Sequence, residues 1–112
     1  PELFSGGRTA TGEPLMPSVT RIGDQDAIHC STPLRAQGSP NVFCNGRAIS
    51  RESDLNTIHQ KPGGKNCVPH AEKLLKGSGT VWVNGLGCGR IGDGINNCTV
   101  VAQGSPNVFA GG

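Results

Sequence analysis

Short apolar runs, cut by glycine, proline and asparagine, make up most of this chain. Val42-Phe43-Cys44 and Val81-Trp82-Val83 are strand material, and each runs into an Asn-Gly pair, Asn45-Gly46 and Asn84-Gly85. Asn-Gly between apolar runs signals a tight two-residue hairpin, because type I′ turns demand positive φ at both central positions. The return strands are expected over 47–51 and 86–91. Gly-Ser openings, Gly38-Ser39-Pro40, Gly77-Ser78-Gly79 and Gly104-Ser105-Pro106, mark bends ahead of each strand. The stretch 60–76 reads as an irregular insert, with a helical turn over 71–75 closed by Gly77. Residues 1–18 read as an arm outside the body, which spans 19–112.

The apolar runs belong to a longer repeat. Arg21, Asp24 and His29 recur in the same spacing as Arg51, Asp54 and His59, and again as Arg90, Asp93 and Cys98. The octapeptide from Ala36 to Phe43 recurs unchanged from Ala102 to Phe109. One such hairpin cannot bury a face alone, so three must pack about a common axis. The expected fold is all-β: a small conical body of three pseudo-threefold hairpin repeats. The repeated Arg and Asp are expected to stabilise turns, since Asp can accept from nearby backbone N–H groups.

A repeat that converges on an axis also brings its equivalent residues together. His29, His59 and Cys98 then share one neighbourhood, and His70 from the insert is the natural fourth member. Imidazole nitrogens and a thiolate are the ligands that tetrahedral zinc takes, and a filled shell marks a structural site. The expected metal set is His29, His59, His70 and Cys98, one zinc per chain, with iron as the alternative ion. Cys67-Val68-Pro69-His70 offers a competing Cys-x-x-His clamp, in which Cys67 replaces Cys98.

Composition explains why a metal is needed. The chain has 112 residues, one domain's worth, and a hydrophobic fraction of 34%. Globular domains run at about 45–50%, glycine included. A thin core calls for a metal, a disulfide or a partner. No apolar export segment stands in 1–17, so a reducing compartment and unpaired cysteines are expected. Cys30, Cys44, Cys67 and Cys88 then act as small buried hydrophobes. Net charge is +2, without a basic run interleaved with aromatics; nucleic acid is excluded as a partner. No stretch reaches the ~20 apolar residues of a membrane span. Gly87-Cys88-Gly89-Arg90-Ile91-Gly92 fits a nucleotide-loop spacing, but no helix follows it. Asn97-Cys98-Thr99 fits the glycosylation acceptor by chance.

Glycine-rich hairpins of the form Gly-Ser-x-x-Val-Phe-x-Asn-Gly, followed by Arg-Ile-Gly-Asp and a His or Cys, resemble the PAAR-repeat proteins. The likeness covers about residues 19–112. It departs at Arg51-Glu52-Ser53-Asp54, and the eponymous Pro-Ala-Ala-Arg is absent. The resemblance implies a cone with zinc near its vertex, held by three His and one Cys. It implies no catalysis. It implies a cap on the trimeric β-helical spike of a contractile injection machine, one tip per trimer, which helps pierce a bacterial envelope. A phage tail tip assembled in the host cytoplasm is the first expectation. A type VI secretion tip, held in the bacterial cytoplasm before release, is the second. A zinc-dependent hydrolase or effector is the enzymatic alternative. The arm is expected to touch other tail or baseplate proteins, and membrane passage to be transient.

Overall fold

A computed structural model of the chain describes residues 16–28, 30–64 and 66–112. The described residues are all-β, with six strands and no helix. Strand β1 (Phe43–Cys44) pairs antiparallel with β2 (Arg47–Ala48). Strand β3 (His59–Gly63) pairs with β4 (Asn66–His70), and β5 (Trp82–Val83) with β6 (Leu86–Gly87). No helix among the described residues is long and apolar enough to cross a membrane.

The two Asn-Gly hairpins form where the sequence places them. Asn45 and Gly46 have φ of 54° and 77°, and Asn84 and Gly85 have 55° and 79°, the double positive φ of a type I′ turn. Their return strands are shorter than the expected 47–51 and 86–91. After Ala48 and Gly87 the backbone leaves its hairpin partner to bond elsewhere. Ser50 N donates to Thr20 O, Thr20 N to Gly89 O, and Gly89 N to Ser50 O. These three residues are each one position before the repeated Arg, so corresponding points of the three copies close a ring. Single bridges Val19 to Arg90, Arg21 to Ile49 and Arg51 to Cys88 flank it in the same cyclic order. The third copy of the Val-Phe strand has no hairpin of its own. It pairs with the chain's early segment: Val19 N donates to Val108 O, and Ala110 N to Pro17 O. Pro17 and Ser18, read as part of the arm, thus pair with the last strand segment; residues 1–15 lie outside the described residues.

Each Gly-Ser opening has a packing reason beyond a bend. A Cβ on Gly38, Gly77 or Gly104 would meet the Ile49, Cys88 or Val19 carbonyl at 2.7, 2.5 and 2.7 Å. The next residue's N–H donates to that same carbonyl. The serine hydroxyl then accepts from the backbone N–H groups two and three residues on, at 2.8–3.1 Å.

The Arg and Asp of every copy form one small device. Asp24 Oδ2 accepts from Arg21 N and Nε at 2.8 and 2.9 Å, and Oδ1 from Nη2 at 3.0 Å. Arg51 with Asp54 and Arg90 with Asp93 repeat the set. Burial works against the Asp24 carboxylate, yet Arg21 and Arg47 hold it below its ordinary pKa. The turn inside the device needs positive φ. Gly23 and Gly92 supply it at 89° and 91°, whereas Ser53 is held at 74°. A non-glycine residue there costs about 1 kcal/mol. Ser53 is exposed, so Ser53→Gly should raise stability by roughly 0.5–1 kcal/mol, readable as a higher midpoint in urea. A lower midpoint would reject the strain.

The described residues hold two apolar clusters. Val19, Cys44, Ile49, Val83, Cys88 and Ala110 form one; Leu74, Ile95 and Val101, with Cys98 against them, form the other. Cys44 and Cys88 are buried thiols, as expected, and burial pushes Cys88 up to about 11. Near the second cluster one copy breaks the pattern. Arg35 stands three residues before Gly38, where Leu74 and Val101 precede Gly77 and Gly104. Asp26 stands five residues after Arg21, where Asn56 and Ile95 follow Arg51 and Arg90. Arg35 and Asp26 form an ion pair at 3.0 Å with both side chains 0% exposed.

Two readings of 60–76 are corrected. It is not irregular, since β3 and β4 make the longest hairpin of the described residues. The helical turn over 71–75 does not form. Leu55 bridges Lys73 and Leu74 bridges Ile95, so burial of Leu74 between neighbouring copies overrides the local helix preference.

Candidate metal centre

Three elements deliver three ligand-type side chains to one point. His59 opens β3 and His70 closes β4, and the hairpin register sets them opposite each other. Directly opposed residues present their side chains on one face, and the two rings lie 4.3 Å apart between centroids. Cys98 comes from a tight loop in which its N–H donates to Ile95 O and Ile95 N–H to Thr99 O. Asn97 in that loop has a φ of 46°.

His59, His70 and Cys98 bring their ligand atoms within 4.8 Å of one another. Cys98 Sγ is 3.1 Å from His59 Nε2 and 3.6 Å from His70 Nε2. Tetrahedral zinc bonds nitrogen and sulfur at about 2.0–2.3 Å, which spaces its ligand atoms about 3.3–3.8 Å apart. The His70 contact fits that spacing and the His59 contact is slightly shorter, so the trio can hold a metal ion and is compatible with zinc. The other ring nitrogens are engaged as metal-bound imidazoles require. His59 Nδ1 donates to Thr57 O at 2.8 Å, and His70 Nδ1 to Glu72 Oε2 at 3.3 Å. A carbonyl and a carboxylate only accept, so each Nδ1 donates, which leaves each Nε2 as the ring nitrogen that a metal would take.

Electrostatics at the sulfur favour a cation. Burial pushes the Cys98 thiol up, the Asp26 and Glu72 carboxylates push the same way, and the Asn56 amide opposes them. A divalent ion replaces that proton and reverses the balance.

Of the expected set, the structure brings together His59, His70 and Cys98; His29 lies outside the described residues. Cys67 does not stand in for Cys98, because it is bonded to Cys30. That disulfide corrects the expectation of unpaired thiols at 30 and 67. Both cysteines are exposed rather than buried, and their Cα atoms are 6.1 Å apart, within the range a disulfide spans. Cys30 adjoins His29 and Cys67 precedes His70 by three residues. Thr57 and Glu72 had no signal, because only the fold aims them at the rings.

Fold and site together define an all-β protein with a candidate metal centre of two histidines and a cysteine. No protein-family model and no curated protein matches the chain.

Proposed function

We propose that this chain is a metal-stiffened tip that caps a trimeric β-helical spike in a contractile injection machine, a phage tail first and a type VI secretion spike second. The observation that carries this reading is the ring of bonds among Thr20, Ser50 and Gly89. A single chain that repeats its backbone geometry three times can seat on a threefold partner. The three copies build a cone in this reading. Zinc, held by His59, His70 and Cys98 with His29 as fourth ligand, is structural and pins distant segments together; the protein is not an enzyme.

The docking end carries the repeated Val-aromatic pairs. Phe43 and Trp82 are 59% and 60% exposed, and Val81 and Val108 also face outward. Clustered exposed apolar side chains mark interaction surfaces. The arm meets further tail or baseplate components. The protein travels in the virion tail tip, or waits in the bacterial cytoplasm before secretion.

The test is co-expression with the trimeric spike protein. One copy per trimer and one zinc per chain are expected, and Trp82→Glu should abolish the complex without lowering the melting temperature. A Trp82→Glu chain that co-purifies as well as the parent would reject the docking end. No complex with any trimeric spike would reject the function.

A further inference from the structure

The Arg35–Asp26 pair has no counterpart in the other two copies, which place Leu74, Val101, Asn56 and Ile95 at the matching positions. Burying an ion pair where apolar side chains fit seldom adds stability. Asp26 Oδ2 accepts from Arg35 Nη1 at 3.0 Å and from Asn56 Nδ2 at 3.2 Å. Among the described residues, its other oxygen, Oδ1, is buried with no hydrogen-bond partner. A carboxylate left half satisfied away from water is costly. Burial pushes its pKa up and outweighs Arg35 and Asn56, which work to keep it charged.

What lies next to that carboxylate gives it a use. Asn56 Nδ2 is also 3.8 Å from Cys98 Sγ, so one amide touches both the carboxylate and the thiol. The Asp26 carboxylate also helps to push the Cys98 thiol up. Arg35 is turned the other way: Nε donates to Ser50 Oγ, in the ring, and Nη2 to Asp54 O. The carboxylate is therefore the member of the pair that Asn56 links to the centre.

We propose that Asp26 is the counter-charge of the metal centre, a positioning residue that tightens a divalent cation on His59, His70 and Cys98 without ligating it. Two neutral imidazoles, a thiolate and a divalent ion leave one net positive charge, and a further neutral imidazole changes nothing. That charge is partly buried, and Asp26 offsets it through Asn56. Arg35 anchors the carboxylate from behind. This inference rests on the centre holding a metal.

The experiment uses the full chain, loaded with zinc and titrated against a chelator of known affinity. Asp26→Asn keeps the volume and one acceptor for Arg35. The double variant Asp26→Ile with Arg35→Leu puts there the residue types that Ile95 and Leu74 supply at the matching positions. Both should bind zinc more weakly by about 10–100-fold, the usual loss for an outer partner of a metal site. With Cu(I), measured anaerobically, the same ligands leave no net charge for Asp26 to offset, so the loss should stay within about twofold. A merely structural lesion would weaken both ions alike. Zinc affinity within twofold of the parent in either folded variant, or equal losses for the two ions, overturns the proposal. If the double variant does not fold, Asp26→Asn decides alone. A parent chain that takes up no metal overturns the metal reading itself, a result distinct from a loaded parent with unaffected variants.

Discussion

Cys98→Ser should leave the protein without bound metal and melting roughly 15 °C below the parent. The sulfur is the hub of the trio, since both Nε2 atoms face it at 3.1 and 3.6 Å. A hydroxyl of similar size does not replace a thiolate, because it keeps its proton at neutral pH and bonds zinc poorly. A ligand at a thousand times its Kd stabilises the folded state by about 4 kcal/mol, and each kcal/mol moves the midpoint of a domain this size by about 4 °C. The core cannot absorb that loss. Among the described residues, the apolar cluster beside Cys98 is Leu74, Ile95 and Val101, worth about 1.5–3 kcal/mol per side chain. Elemental analysis and a thermal melt check the result together. A chelator should bring the parent down to the variant's midpoint and leave the variant unmoved. Acid should release the ion, since a thiol already pushed upward must lose its proton to bind. A variant with full zinc and an unchanged midpoint would remove the centre from the protein.

Loss of the Cys30–Cys67 bond should cost nearly as much by a different route. The bond closes a loop of 37 residues. Freeing a loop of that length returns about 4 kcal/mol of conformational entropy to the unfolded chain. The pair Cys30→Ser with Cys67→Ser should therefore melt roughly 15 °C lower. A reductant should do the same to the parent, because both cysteines are exposed. Thiol counting gives the independent check: Cys44, Cys88 and Cys98 are free, so the unfolded, unreduced chain should show three reactive thiols. Five thiols before reduction would mean the bond does not form. The two cross-links act on neighbouring segments, since Cys67 and His70 share β4. Their losses should be less than additive if the disulfide already orders the hairpin.

Local chemistry made a good part of this readable in advance. Asn45-Gly46 and Asn84-Gly85 allow one common hairpin turn, and the structure uses it at both. Arg-x-x-Asp repeated three times allowed a side chain to close its own turn, and Asp24, Asp54 and Asp93 all do so. The common register of His59 and Cys98 placed them together before any coordinates. Each of these depends on neighbours in sequence or on exact repetition, and both are visible in a string of letters.

The rest depended on what meets across the fold. Residues 71–75 carry helix-forming side chains, yet Leu74 gains more by burial between copies than a single helical turn offers. Cys30 and Cys67 lie 37 residues apart, and nothing local says that their Cα atoms approach to 6.1 Å. Arg35 and Asp26 look like surface charges until the fold buries them. By itself the sequence determined the all-β class, the turns, the threefold recurrence and the meeting of His59 with Cys98, because periodicity and turn stereochemistry act over a few residues. Only the tertiary structure decided the disulfide, the buried ion pair and the groups that orient the imidazoles, because those are settled by distances between segments that the chain order does not encode.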